Sequence, residues 1–158
     1  MKFSESWLRT LVAPELSSEA LSHLLTMAGL EVEELDPVAP AFDSVVVAQV
    51  LEVVKHPDAD RLNVCQVDTG SGMPTTIVCG APNARAGIKV ALANVGVTIP
   101  NGNFEIKKAK VRDVESQGML CSADELGLGG DSAGIIELPL DAKIGDSIVD
   151  VLGLNDPV

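Results

Sequence analysis

His56-Pro57-Asp58-Ala59-Asp60-Arg61-Leu62 separates two strand-like runs, and its reading decides the fold. Upstream, Val45 to Val54 is a long apolar run, and His56-Pro57 ends it because proline cannot donate to a continuing ladder. Downstream, Leu62 to Asp68 alternates as a strand and closes at Thr69-Gly70-Ser71-Gly72. Within the turn, Asp58 and Asp60 are placed to accept bonds from backbone amides one or two residues on, which would lock a tight corner. Arg61 would then project from that corner, either into solvent or toward a phosphate.

The same texture continues outward. Thr75 to Cys79 and Ile88 to Ala93 read as strands, the second introduced by Gly87. Asn101-Gly102 marks a hairpin between Val97–Ile99 and Phe104–Arg112, and Ile135 to Leu138 is the last clear strand. Five or more short strands with little helix over some 110 residues predict a mainly β chain built on a five-stranded OB-type barrel. The core must come from Val, Ile, Leu and Ala, since hydrophobic residues make up 46% of the chain but aromatics only 3%.

The N-terminal stretch has a different character. Phe3 to Val12 reads as a short strand or turn. Ser18 to Ala28 reads as a helix, capped by Ser17 or Ser18, striped by Ala20, Leu21, Leu24, Leu25 and Ala28, and stopped by Gly29. Leu30 to Leu35 alternates apolar and acidic residues as a strand would. Asp36-Pro37-Val38-Ala39-Pro40 follows as a stiff linker. These pieces expose too little apolar surface to fold alone, so 1–38 is expected to be an incomplete α+β segment, one half of a split domain. The barrel is expected over 39–149, and 150–158 as the start of the return to the first segment.

A formal net charge of −12 is the opposite of what a simple nucleic-acid binder carries, so any contact with phosphate must be local. Residues 39–149 hold nine basic and fourteen acidic residues, yet four of those bases fall in Lys107-Lys108-Ala109-Lys110-Val111-Arg112. On one strand, Lys108, Lys110 and Arg112 would share a face, either as a lysine-guarded edge or as a seat for an anion. Asn83, in Cys79-Gly80-Ala81-Pro82-Asn83, could brace its loop or read a base. Ser122-Ala123-Asp124-Glu125 has the form of a capping box. The loop Gly127 to Asp131 lacks the Lys and Ser/Thr of a phosphate loop, and Asp131 would oppose an anion there.

Catalysis finds little support. Cys121 has no histidine partner, since His23 and His56 are in no recognisable pairing with it. Cys65, Cys79, Cys121 and His56 lack the close spacing of a zinc site, so no metal is expected and the thiols read as buried. Three scattered cysteines, no apolar signal core and no membrane-length apolar run point to the reducing cytoplasm and to no membrane.

Taken in order, His56-Pro57-x-Ala59-Asp60-Arg61-Leu62, Val67-Asp68-x-Gly70, Val78-Cys79-Gly80-Ala81-Pro82-Asn83, Ser116-x-Gly118-Met119-x-Cys121-Ser122 and Glu125-Leu126-Gly127-Leu128 resemble a known module. It is the tRNA-binding domain of EMAP II-like proteins, of some methionyl-tRNA synthetases and of bacterial phenylalanyl-tRNA synthetase β subunits. Met1 to Arg9 and Leu25 to Glu33 look like the opening of the last of these. That resemblance implies an accessory, non-catalytic part of an α2β2 enzyme that joins phenylalanine to tRNA using ATP and Mg2+, with its chemistry elsewhere and no cofactor in this fragment. It also implies tRNA and the α subunit as partners. Lys55, Arg61, Lys107, Lys108, Lys110 and Arg112 become candidate phosphate contacts, and Asn83 and Ser116 neutral ones. A free-standing tRNA-binding OB protein and a protein-interaction barrel are the alternatives.

Overall fold

A computed structural model describes residues 1–37, 44–130 and 132–156. The expected boundary at 38/39, Asp131 and residues 157–158 lie outside them. The chain divides into two compact units, Met1–Ala39 with Gly153–Val158, and Pro40–Leu152.

The larger unit is the barrel. Its strands are β1 (Val45–His56), β2 (Ala59–Asp68), β3 (Thr75–Cys79), β4 (Lys89–Asn94), β5 (Thr98–Ile99), β6 (Phe104–Glu105), β7 (Ala109–Val111), β8 (Val114–Ser116), β9 (Gly118–Leu120) and β10 (Glu137–Leu138), followed by the short helix Ile148–Val151. The main sheet runs β10-β4-β1-β2-β3, all antiparallel, with β9 also on β4. The circuit closes where Gln117 N donates to Thr76 O at 3.0 Å and Val78 N donates to Ser116 Oγ at 3.1 Å. β1, β2, β3, β9 and β4 thus form a nearly closed five-stranded barrel, the expected fold class.

Period-2 alternation builds this core. Val50, Cys65, Val67, Ile77, Val90, Leu92 and Leu120 point inward and are buried. β4 is buried on both faces, because Val90, Ala91, Leu92 and Ala93 are all fully covered. β1 bends at a register shift between Val50 and Glu52, which leaves Leu51 outside.

Phe104–Arg112 is not one strand. β6 pairs with β5 (Thr98↔Glu105, Ile99↔Phe104), around the predicted Asn101-Gly102 turn, and stops. A separate hairpin, β7–β8, then turns at Arg112-Asp113, with φ of 44° and 71°. Two central residues with positive φ give the backbone twist that a two-residue hairpin loop needs. Arg112 therefore lies at a turn and does not continue the face of Lys108 and Lys110.

In the smaller unit, the stretch expected as strand or turn is helix α1 (Glu5–Leu11). Ser4 Oγ accepts from Trp7 N at 3.1 Å, and the Asp156 carboxylate accepts from Ser6 N at 2.9 Å, so two partners meet the free amides of its first turn. Arg9 pairs with Glu5 at 2.6 Å and donates to Pro14 O and Leu16 O, fixing the connection to α2 (Ser18–Met27). α2 forms as predicted, with Ser17 Oγ accepting from Ala20 N at 3.2 Å and Gly29 at φ 97° after its end. Only Leu21 of its stripe is buried; Leu24 and Met27 are exposed. Residues 30–35 form no strand, because no neighbouring strand offers them a ladder among the described residues.

Candidate nucleic-acid interface

Six of the eleven basic residues fall in two segments, 55–61 and 107–112, which the fold brings together. The joint is His56. Although it sits next to an exposed turn, it is only 4% exposed. Its Nδ1 accepts from Asp58 N at 3.0 Å, so the ring proton lies on Nε2, which donates to Val111 O at 2.9 Å. Arg112 Nη1 donates to Asp58 O at 2.5 Å. The β7–β8 hairpin is thereby tied to the β1–β2 turn. The aspartates do not lock that turn by accepting amides as expected; the imidazole does so, and Asp58 and Asp60 offer carbonyls to Arg112 and to Lys55 Nζ (3.2 Å).

The candidate cations are all exposed, but they are not equivalent. Lys108 pairs with Glu115 at 2.6 Å and Lys110 with Asp113 at 3.0 Å. The hydrogen bond from Lys108 holds the Glu115 carboxyl below its ordinary range. Exposed pairs of this kind are weak and salt-sensitive, so the lysines are held in place without being withdrawn from a competing anion. Arg61 and Lys107 have no side-chain hydrogen bond or ion pair among the described residues. Arg61 lies beside Gly80, where an added Cβ would come within 3.9 Å of Arg61 O.

The two neutral candidates face inward. Asn83 Nδ2 donates to Ile135 O at 2.8 Å and its Oδ1 accepts from Ile135 N at 3.0 Å, which braces the 132–135 loop against the loop that follows β3. Ser116 is 6% exposed and accepts from Val78 N while donating to Gly118 O. Neither presents a free polar group to a ligand. The predicted capping box forms, with Glu125 Oε2 accepting from Ser122 N at 2.7 Å and Glu125 N donating to Ser122 Oγ at 3.2 Å. It shapes one wall of a cavity of about 310 Å³ lined also by Cys79, Gly80, Met119 and Gly134.

Sequence reasoning weighed His56 as a zinc ligand and as a partner for Cys121, and missed its part in organising this corner. The available signal was a histidine placed immediately before the proline that ends a long strand. Burial pushes the Cys121 thiol up to about 12 and Cys65 to about 11, which makes both poor nucleophiles and poor ligands at neutral pH. Among the described residues no group of three or more His, Cys, Asp or Glu is arranged to hold a metal ion. The carboxylates Glu115 and Asp113 are engaged by Lys108 and Lys110, so the side chains here do not fit a Mg2+ site. No helix among them is long and apolar enough to cross a membrane.

A nearly closed five-stranded barrel carrying cations on an anchored hairpin fits a small nucleic-acid-binding module. Residues 45–147 match the family model described as "Putative tRNA binding domain", and the chain belongs to that family. Over 156 residues, 99% of this chain, it is 71% identical to the phenylalanine–tRNA ligase beta subunit of Dechloromonas aromatica. Over 164 residues and the whole chain it is 58% identical to that of Cupriavidus pinatubonensis. The chain spans about 20% of the length of each of these relatives. Among solved structures it is similar to a MetRS related protein from Pyrococcus horikoshii, with 25% identity, a TM-score of 0.47, and coverage of 66% of this chain and 86% of that one.

Proposed function

We propose that this chain is the N-terminal, non-catalytic accessory part of a phenylalanine–tRNA ligase β subunit, in an enzyme that attaches phenylalanine to tRNA(Phe) with ATP and Mg2+. The 71% identity over 99% of the chain carries this reading. Because the similarity includes the first 44 residues, a free-standing tRNA-binding barrel is disfavoured. In the whole protein the partners are tRNA and an α subunit, in an α2β2 assembly in the cytoplasm. Residues 1–38 are half of a split domain, 39–149 its OB-fold tRNA-binding neighbour, and 150–158 the start of the return. The bonds from Ser4 and Ser6 to Asp156 support that return.

Within the module, Lys55, Arg61, Lys107, Lys108 and Lys110 are the proposed phosphate contacts. Asn83 and Ser116 are not, since their polar atoms already serve the fold. A role of the barrel in assembly is the second reading; the ion pairs of Lys108 and Lys110 favour it, because these charges are already balanced locally.

A salt series with tRNA separates the two readings. Five phosphate contacts predict that affinity falls roughly 10²- to 10³-fold between ~50 and ~200 mM salt, and that Lys108→Ala with Lys110→Ala lowers the log–log slope by about 2. Absence of tRNA binding at ~50 mM salt would leave assembly as the role of the barrel.

A further inference from the structure

We infer that His56 and Arg112 are positioning residues, which clamp the β7–β8 hairpin to the β1–β2 turn so that Lys108 and Lys110 meet RNA from a fixed platform. This rests on the tRNA-contact reading for its purpose, but not for its geometry.

The hairpin needs such a clamp. β7 and β8 pair only with each other, and neither joins the main sheet by ladder bonds. At its base it is held by Ser116 Oγ on Val78 N and by Gln117 N on Thr76 O. A two-stranded hairpin held at one end is marginal in water. At the other end the described attachments are His56 Nε2 to Val111 O and Arg112 Nη1 to Asp58 O. The first is part-buried, and removing the imidazole strands the Val111 carbonyl and, through Nδ1, the Asp58 amide.

Arg112 also pays a conformational cost to stand where it does. A positive φ of 44° is unfavourable for a residue with a Cβ, and its neighbour Asp113 sits at 71°. The guanidinium tether to Asp58 O offsets that cost and aims the side chain at the protein. Arg112 therefore serves the RNA surface through the hairpin and is reassigned from a phosphate contact to part of the clamp. The lysines lie on the clamped element: Lys110 faces Glu115 across the ladder, and Lys108 reaches the same carboxylate. Holding the two lysines in register lowers the ordering cost on binding, which is how a fixed platform raises affinity.

The test uses the full chain and two readouts. In hydrogen exchange, His56→Ala is expected to speed the amides of residues 109–116 by about tenfold or more while those of β1, β2 and β4 hold. Unchanged hairpin exchange would overturn the clamp. In tRNA binding, His56→Ala and Arg112→Ala are each expected to cost about 3- to 10-fold. Neither should cost more once Lys108→Ala and Lys110→Ala are present, because the platform then holds nothing. If the losses from Arg112→Ala and the lysine pair add fully, with Arg112→Ala removing about one unit of salt slope, Arg112 is an independent phosphate contact and the inference fails. Arg112→Ala covers the case in which His56→Ala unfolds, since Arg112 is exposed. If the wild type does not bind tRNA, the RNA reading falls, and the exchange arm alone decides the clamp.

Discussion

Asn83→Asp decides whether Asn83 builds the fold or reads RNA. The change keeps Oδ1, which accepts from Ile135 N at 3.0 Å, and replaces Nδ2 with an oxygen. That oxygen would face Ile135 O, to which Nδ2 donates at 2.8 Å, and Glu137 Oε1 at 3.2 Å. Two hydrogen bonds are lost, each worth about 0.5–1.5 kcal/mol, and a part-buried carbonyl is left without its donor at about 1–3 kcal/mol. The expected loss at pH 7 is therefore about 2–6 kcal/mol, read as a lower urea midpoint at unchanged slope. The introduced carboxylate is disfavoured as an anion beside Ile135 O and Glu137, so its folded pKa rises above its unfolded one. Its penalty is then full above the folded pKa and fades as pH falls through it, because the protonated acid can again donate to Ile135 O. Gly134→Ala probes the same joint: an added Cβ would come within 2.7 Å of Asn83 Oδ1, so its cost should not add to that of Asn83→Asp. A loss under about 0.5 kcal/mol together with weakened tRNA binding would refute the bracing assignment.

Three further outcomes follow from the barrel. Gly118→Ala should destabilise by about 1–3 kcal/mol in urea unfolding, since its Cβ would lie 2.9 Å from Ala93 O on the paired strand; a neutral result would show that β4 and β9 can part. Cys65, Cys79 and Cys121 are buried with thiols pushed up by that burial, so none should react with a disulfide reagent at neutral pH until the chain is denatured. Fast native labelling would contradict it. The hydrogen bond from Arg85 holds the Glu137 carboxyl below its ordinary 4.5, so the pairing is complete above that value and lost as pH falls through the lower folded one. An NMR titration should place the Glu137 midpoint below 4.5, and Arg85→Ala should raise it, the Asn83 bond remaining; a wild-type midpoint at or above 4.5 rules the pairing out.

Four of the five strands that make the barrel were legible because their signals are local; β9 was not read as a strand. Alternation and turn residues place β1 to β4 within a few residues, and Ser17 with Gly29 brackets α2. The misreadings share one cause, which is a partner far away in sequence. α1 is short, and one of its two caps is Asp156, 150 residues from the Ser6 amide it accepts. Residues 30–35 have the alternation of a strand, but a strand is a relation between two segments and no second one is among those described.

The same cause governs the cationic corner, where it bears on function. Read as one strand, Lys108, Lys110 and Arg112 form three like charges in a row, which is unstable without an anion. In the fold the chain turns at Arg112-Asp113 without a glycine, and Glu115 and Asp113 fall opposite the lysines. What makes the turn tenable is His56 and the Asp58 carbonyl, more than fifty residues upstream. Composition can locate an excess of lysine, but it cannot show which charge is tethered and which is free. With Arg112 bonded to Asp58 and two lysines paired, the corner carries less free charge than its sequence suggests. Arg61 and Lys107, unpaired among the described residues, then become the cations whose removal should change tRNA affinity with the least disturbance to the fold.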